Sequence, residues 1–93
     1  MGNQRNVKIK YYFYILQCKD TTLYCGSTNN LEKREKTHNA GKGSVYVKTH
    51  GGGRIVYSET YSSVGDAMRR EIEVKKWSRI KKLGLVKGRL NKK

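Results

Sequence analysis

The run Tyr11–Cys18, Y-Y-F-Y-I-L-Q-C, is the longest uninterrupted stretch of aromatic and branched residues in the chain. Only 35% of the 93 residues are apolar, so any core has to be organised around this segment. Its composition suits a buried strand rather than a helix. Lys19-Asp20-Thr21 has turn chemistry, and Thr22–Ser27, T-L-Y-C-G-S, reads as a second strand closing a hairpin. By strand alternation Tyr12, Tyr14 and Leu16 share one face, with Tyr11, Phe13 and Ile15 on the other. Tyr24 and Gly26 share a face of the second strand, which makes Tyr14 and Tyr24 near-diagonal neighbours across the ladder.

Beyond the hairpin, Asn30 is a good helix cap, and residues 31–40 read as a helix ending at Gly41. Residues 41–53 hold five glycines and two basic residues; this reads as a loop and lacks the phosphate-cradling G-x-x-x-x-G-K-[ST] pattern. Arg54–Tyr61 is a third strand. Ser63 with Asp66 forms a capping pair for a helix over about 64–77, and Ser78 caps a last short helix ending near Gly84. The order is β-β-α-β-α-α: an α+β fold with a three-stranded antiparallel sheet flanked by helices. One domain is expected over residues 10–86, with a basic arm at 1–9 and a basic tail at 87–93.

The formal net charge is +14. Such an excess of one sign strains a compact chain by self-repulsion, and a polyanionic partner is the simplest reason to keep it. From Lys75 to Lys93 there are nine Lys or Arg and no acid, which favours nucleic acid over a merely solvated surface. Arg70, Lys75, Lys76, Arg79, Lys81 and Lys82 are the candidate contacts. A membrane is not expected as a partner: no basic amphipathic helix with aromatic anchors and no spanning apolar run is present. The N-terminus has no signal-peptide pattern, so the expected location is cytoplasmic. Cys18 and Cys25 are too few for a zinc site and read as reduced thiols in strands.

Several polar residues stand where core residues belong. On a helix starting at Val64, the apolar Val64, Ala67, Met68, Ile72 and Val74 define one broad face, and Glu71 falls in its middle. A carboxylate there is costly unless paired with a cation, for instance an arginine, or put to use on a metal or as a base. On the preceding helix Leu31, Arg34, Glu35 and His38 share a face; this is either a solvated surface or an anion site made by Arg34 and His38. The strand tyrosines are core or rim residues, or carry chemistry.

Together these residues resemble the GIY-YIG nuclease superfamily, in particular its small single-domain members. The two half-motifs correspond to Tyr12-Phe13-Tyr14 and Tyr24-Cys25-Gly26, and the surrounding stretches Y-F-Y-I-L-Q-C-K-D-x-x-L-Y-C-G-S-T-N-N-L-E-K-R-x-x-x-H-N and A-M-R-R-E-I-E-V-K-K-W-S-R extend the likeness over residues 11–86. The first triplet lacks glycine, and Cys25 and Glu35 depart from the usual residues. The resemblance implies catalytic positions at Tyr14, Tyr24, Arg34, His38 and Glu71, with Glu71 binding one Mg²⁺ or Mn²⁺. It also implies a metal-dependent DNA endonuclease acting in repair or processing, structure-selective or weakly specific, on DNA that is branched or nicked. RNA is the second candidate substrate, and the rival function is a non-catalytic nucleic-acid-binding module. On this resemblance Tyr14 is favoured as the base, with Tyr24 orienting water or phosphate; the reverse assignment stays open, and His38 is a candidate proton relay. The chain is expected to act as a monomer or weak dimer, with a protein partner for targeting.

Overall fold

The structure, a computed structural model, describes residues 9–88. Residues 1–8 and 89–93, and with them most of the expected basic arm and tail, lie outside the described residues. Three strands, β1 (Tyr11–Cys18), β2 (Leu23–Thr28) and β3 (Gly53–Tyr61), form one antiparallel sheet in the order β2-β1-β3. The most apolar strand is therefore the central one. Helices α1 (Leu31–Asn39), α2 (Val45–Thr49), α3 (Val64–Lys75) and α4 (Arg79–Val86) complete the α+β fold.

Strand alternation splits the core in two, as the sequence predicts. Phe13 and Ile15 point to one face, where they pack with Cys25, Val74 and Leu85. Tyr14, Leu16 and Cys18 point to the other and pack with Val47, Tyr24 and Leu31. The register places Tyr14 opposite Gly26 and Leu16 opposite Tyr24, so Tyr14 and Tyr24 are diagonal neighbours, with ring centroids 6.4 Å apart. Both thiols are free and buried. Between β1 and β3 the pairing shifts at Ile15/Leu16, whose partners are Tyr57 and Ile55. The Glu35 carboxylate accepts the Ile55 N–H at 3.1 Å. This is why a charged residue sits on the sheet-facing side of α1: it satisfies a backbone donor beside the bulge.

The caps behave as expected. Asn30, Ser63 and Ser78 each accept an N–H from the third residue on, at Lys33, Asp66 and Lys81. The segment expected to be a plain loop over residues 41–53 instead contains α2. Ser44 caps it and Val47 buries it against the sheet; one apolar anchor in five residues leaves too short a period to read. Helix α3 stops at Lys75 rather than at 77, and α4 runs on to Val86 rather than ending near Gly84.

The rotation of α3 also differs from expectation. Ala67 and Val74 are buried, but Val64, Met68 and Ile72 are about half exposed. The residues facing the sheet are Ala67, Arg70, Glu71 and Val74, spaced i, i+3, i+4, i+7. Two polar tethers fix this rotation. On the β3 side Arg70 Nε and Nη2 donate to the two Glu59 oxygens at 2.9 and 3.1 Å; on the β2 side Ser27 donates to Glu71. Arg70 thus departs from its expected place among the nucleic-acid contacts. It is turned inward, reaches Glu73 as well, and lies over the Trp77 ring at 5.1 Å. Burial by itself raises the Glu59 pKa, yet the hydrogen bonds from Arg70, Tyr57 and Tyr61 outweigh it and hold the group below the usual carboxylate value.

Removing one partner of this pair leaves a half-buried carboxylate short of donors. Arg70→Met is therefore expected to cost about 2 kcal/mol, in the range for a hydrogen bond to a charged group, measured by urea unfolding. An unchanged midpoint would mean that the pair does not hold α3.

Candidate active site

The expected site residues gather around β2, an edge strand. Tyr14 reaches it from the central strand. Its ring crosses β2 at Gly26, where an added Cβ would stand 2.6 Å from the tyrosine hydroxyl and 2.7 Å from Cζ. No other residue leaves room for that crossing. The hydroxyl ends 2.8 Å from His38 Nε2, projected from α1. Tyr14 and His38 are both essentially inaccessible to solvent. Gly43 covers the imidazole from behind, since a Cβ there would come within 2.5 Å of Nδ1. That nitrogen is the one buried side-chain polar atom among the described residues without a hydrogen-bond partner.

Tyr24 closes the group on the outer side, its ring 5.3 Å from that of His38 in an edge-on arrangement. Arg34 lies one helical turn before His38 and is half-buried. It lines two clefts, of about 310 and 280 Å³, that open on either side of it near Thr28 and Asn29. The α1 face is thus not a plain solvated surface. Of the two residues expected to form an anion site only Arg34 reaches the clefts, His38 being buried against Tyr14.

Glu71 comes from the opposite face of the sheet. Its Oε1 accepts from the Ser27 hydroxyl at 2.8 Å and its Oε2 meets the Lys75 ammonium at 2.8 Å. With 19% of its side chain exposed, the carboxylate sits at the rim of β2 rather than in the core. In place of an arginine, the structure supplies Lys75 as its cation, from the same helix, four residues on. Tyr14, Tyr24, Arg34, His38 and Glu71 are therefore all brought to the two sides of one short strand. Of the expected nucleic-acid contacts, Lys75, Arg79 and Lys82 border β2, Lys76 is exposed, and Lys81 lies over the Trp77 ring at 4.3 Å. Ser27, Gly26 and Gly43 are not among the residues that sequence reasoning singles out for the site. The first two adjoin or belong to the second half-motif, and their roles follow from the register once Tyr14 is placed opposite Gly26.

Electrostatics set the protonation states. Burial drives the Tyr14 phenol far above its ordinary pKa; the neighbouring Tyr24 adds to this, while Arg34 pulls the other way without overcoming it. Burial lowers the His38 pKa below 6.5, assisted by the Arg34 charge. At neutral pH the pair is a neutral phenol beside a neutral imidazole, one donating to the other.

A divalent cation has one carboxylate to bind here. No cluster of three or more His, Cys, Asp or Glu able to hold a metal occurs among the described residues. A hard cation that keeps most of its waters and takes its remaining oxygens from a phosphate suits such a site. Glu71, steadied by Ser27, fits that demand, with Lys75 as the competing cation.

The GIY-YIG catalytic domain family matches residues 10–83. The chain belongs to this family. It is similar to a UPF0213 protein of Staphylococcus haemolyticus, at 51% identity over 80 residues, covering 86% of this chain and 98% of that protein. It is also similar to the UPF0213 protein YazA of Bacillus subtilis, at 40% identity over 83 residues, covering 89% and 84%. The solution structure of a UPF0213 protein from Bacillus halodurans superposes with a TM-score of 0.54 at 44% identity, over 84% of this chain and 83% of that one. Among the described residues no helix is long and apolar enough to cross a membrane.

The Tyr14 arrangement predicts a sharp response at Gly26. Gly26→Ala is expected to push the ring aside, costing about 1–3 kcal/mol as overpacking does, and to break the Tyr14–His38 hydrogen bond. The His38 ring nitrogen resonances report this directly; if they keep their wild-type shifts, the ring does not depend on the missing side chain.

Proposed function

We propose that this chain is a metal-dependent endonuclease that hydrolyses DNA phosphodiester bonds, with weak or structure-based selectivity. The observation that carries the reading is the convergence on β2 of a buried Tyr14–His38 pair with Arg34 beside it, and of Glu71 from the other face. A core needs neither arrangement. Arg34 and Glu71 stand at the rim, where a charged ligand can approach, with the Tyr14–His38 pair closed behind Tyr24.

The chemistry follows from the protonation states. A phenolate at Tyr14 is strongly disfavoured, so Tyr14 does not wait as an ionised base. It is closed to solvent, so the step needs Tyr24 on the outer side to turn away and admit the attacking water. The phenol oxygen then takes a proton from that water while its own proton passes to His38 Nε2, leaving the phenol neutral. The depressed pKa of His38 keeps it free to accept at neutral pH. Arg34 holds the phosphate and offsets the charge that grows on it. Tyr24, on the outer side, orients the water or the phosphate. Glu71 would hold the Mg²⁺ or Mn²⁺, which when bound would supply Lewis acidity to the reaction. Lys75 neutralises Glu71 in this structure, and its ammonium would be available to a phosphate were a cation to take its place on the carboxylate. The exposed basic residues add sequence-independent affinity, and repair or processing of branched or nicked DNA is the setting in which weak base reading suffices.

The deciding experiment incubates flap, fork, nicked and plain duplex DNAs with the protein and Mg²⁺ or Mn²⁺. Glu71→Gln is expected to abolish cleavage while keeping the fold, and Arg34→Ala to slow it about 100- to 1,000-fold, as loss of a charge-stabilising group does. Equal residual cleavage by wild type and Glu71→Gln would leave only a non-catalytic nucleic-acid-binding module. The pH profile is a second check. Activity requires neutral His38, so the rate is expected to rise with pH through a value below 6.5 and to level off before neutrality. A limb centred above 6.5 would exclude His38 as the acceptor.

A further inference from the structure

One cleft outside the Tyr14–Glu71 cluster joins an aromatic face to positive charge. It has a volume of about 230 Å³ and lies at the turn end of β2, lined by Thr22, Leu23, Tyr46, Arg79 and Lys82. Tyr46 is 40% exposed; Val47, not Tyr46, anchors α2 to the core. Even so, Tyr46 is held in place from behind. The His50 ring stacks on it with centroids 4.2 Å apart and planes 32° apart. His50 Nδ1 is tied to the Asp20 carboxylate, which also accepts the Thr22 N–H and hydroxyl. On its inner side Tyr46 meets the Tyr24 ring at 5.7 Å. The cations are placed as well: Arg79 is anchored to the Thr21 carbonyl at 2.9 Å, and Lys82 approaches Leu23 and Cys25. Among the described residues no carboxylate lines the cleft.

A half-exposed ring braced by a histidine that is itself tied to Asp20 does nothing for the core. It does offer a rigid π-face beside two guanidinium or ammonium groups, which is the chemistry that recognises a nucleotide with an unstacked base. Resting on the nuclease reading, we propose that the Tyr46 cleft is a subsite for one unpaired nucleotide of the substrate strand, its base on Tyr46 and its phosphate between Arg79 and Lys82. Position along β2 fits. Glu71 is bonded to Ser27, and the cleft lies at Leu23, four residues along the strand. At about 3.3 Å per residue that is about 13 Å, or about four B-form base-pair rises. The subsite therefore takes a nucleotide a few steps from the cut phosphate. The preferred substrates carry unpaired bases on that side: flaps, forks or single-stranded gaps.

The test measures binding by fluorescence anisotropy, on a Glu71→Gln background so that nothing is cut. A forked duplex is compared with a blunt one of the same length, with Tyr46, Tyr46→Ala and Tyr46→Trp. Tyr46→Ala is expected to weaken binding of the fork about ten-fold, within the range seen for loss of one base–aromatic stack, and to leave the blunt duplex unchanged. Tyr46→Trp should bind the fork at least as tightly as Tyr46, which keeps the test sound should the alanine chain fold poorly. A single abasic position moved along the unpaired arm should reproduce the Tyr46→Ala loss at one site, and only when Tyr46 is present. Equal losses on fork and blunt duplex, or no loss on either, overturn the subsite while leaving the nuclease reading intact. If the wild-type chain neither binds nor cuts DNA, the nuclease reading falls and the subsite with it.

Discussion

Tyr14 stands at the centre of the central strand, with its ring laid across Gly26 and its hydroxyl on His38. That one contact joins the sheet to α1 through a pair of neutral polar groups in a region closed to water. Its strength depends on the closure, since a hydrogen bond in low dielectric has no solvent to compete with it. The same closure makes the phenol a poor acid and the imidazole a poor base. In the proposed mechanism such a pair suits a proton that enters at one end and is handed on to the other. Gly26 and Gly43 make the closure possible, one under the phenol and one behind the imidazole.

Helix α3 is fixed by polar rather than apolar contacts. Arg70 to Glu59 and Glu71 to Ser27 straddle Ala67 and Val74. Small and medium side chains between two tethers permit close approach to the sheet, and Val64, Met68 and Ile72 are left at the surface. The two tethers differ in kind. Glu59 is surrounded by donors from Arg70, Tyr57 and Tyr61 and is structurally spent. Glu71 holds one hydroxyl and one ammonium at an open rim, and the ammonium can leave.

Much of this is legible in the sequence because the informative residues are out of place. Glu71 amid apolar neighbours, and Arg34 and His38 together on one helix face, stand out by their spacing. Spacing alone also allows an ion pair or a solvated surface, and their site roles come only with the family resemblance. The half-motifs around Tyr14 and Tyr24 point to the family to which the chain belongs. What escapes does so for physical reasons. Helix α2 has five residues and one buried anchor, too little for a period. The rotation of α3 does not follow from its apolar residues, because two hydrogen-bonded charged side chains hold the helix. Arg70 looks like any other basic residue until its partner Glu59 is known to lie across the sheet. Tyr46 and His50 gain meaning only from their mutual stacking.

The open border of β2 has a further consequence. An outer strand presents unpaired backbone groups, and a flat one invites a second chain to add its own strand and begin an aggregate. Here that border is ringed by Lys75, Arg79 and Lys82. Two copies approaching edge to edge bring like charges together before any ladder can form. The cationic fringe that suits a polyanion thus also disfavours strand addition at this border.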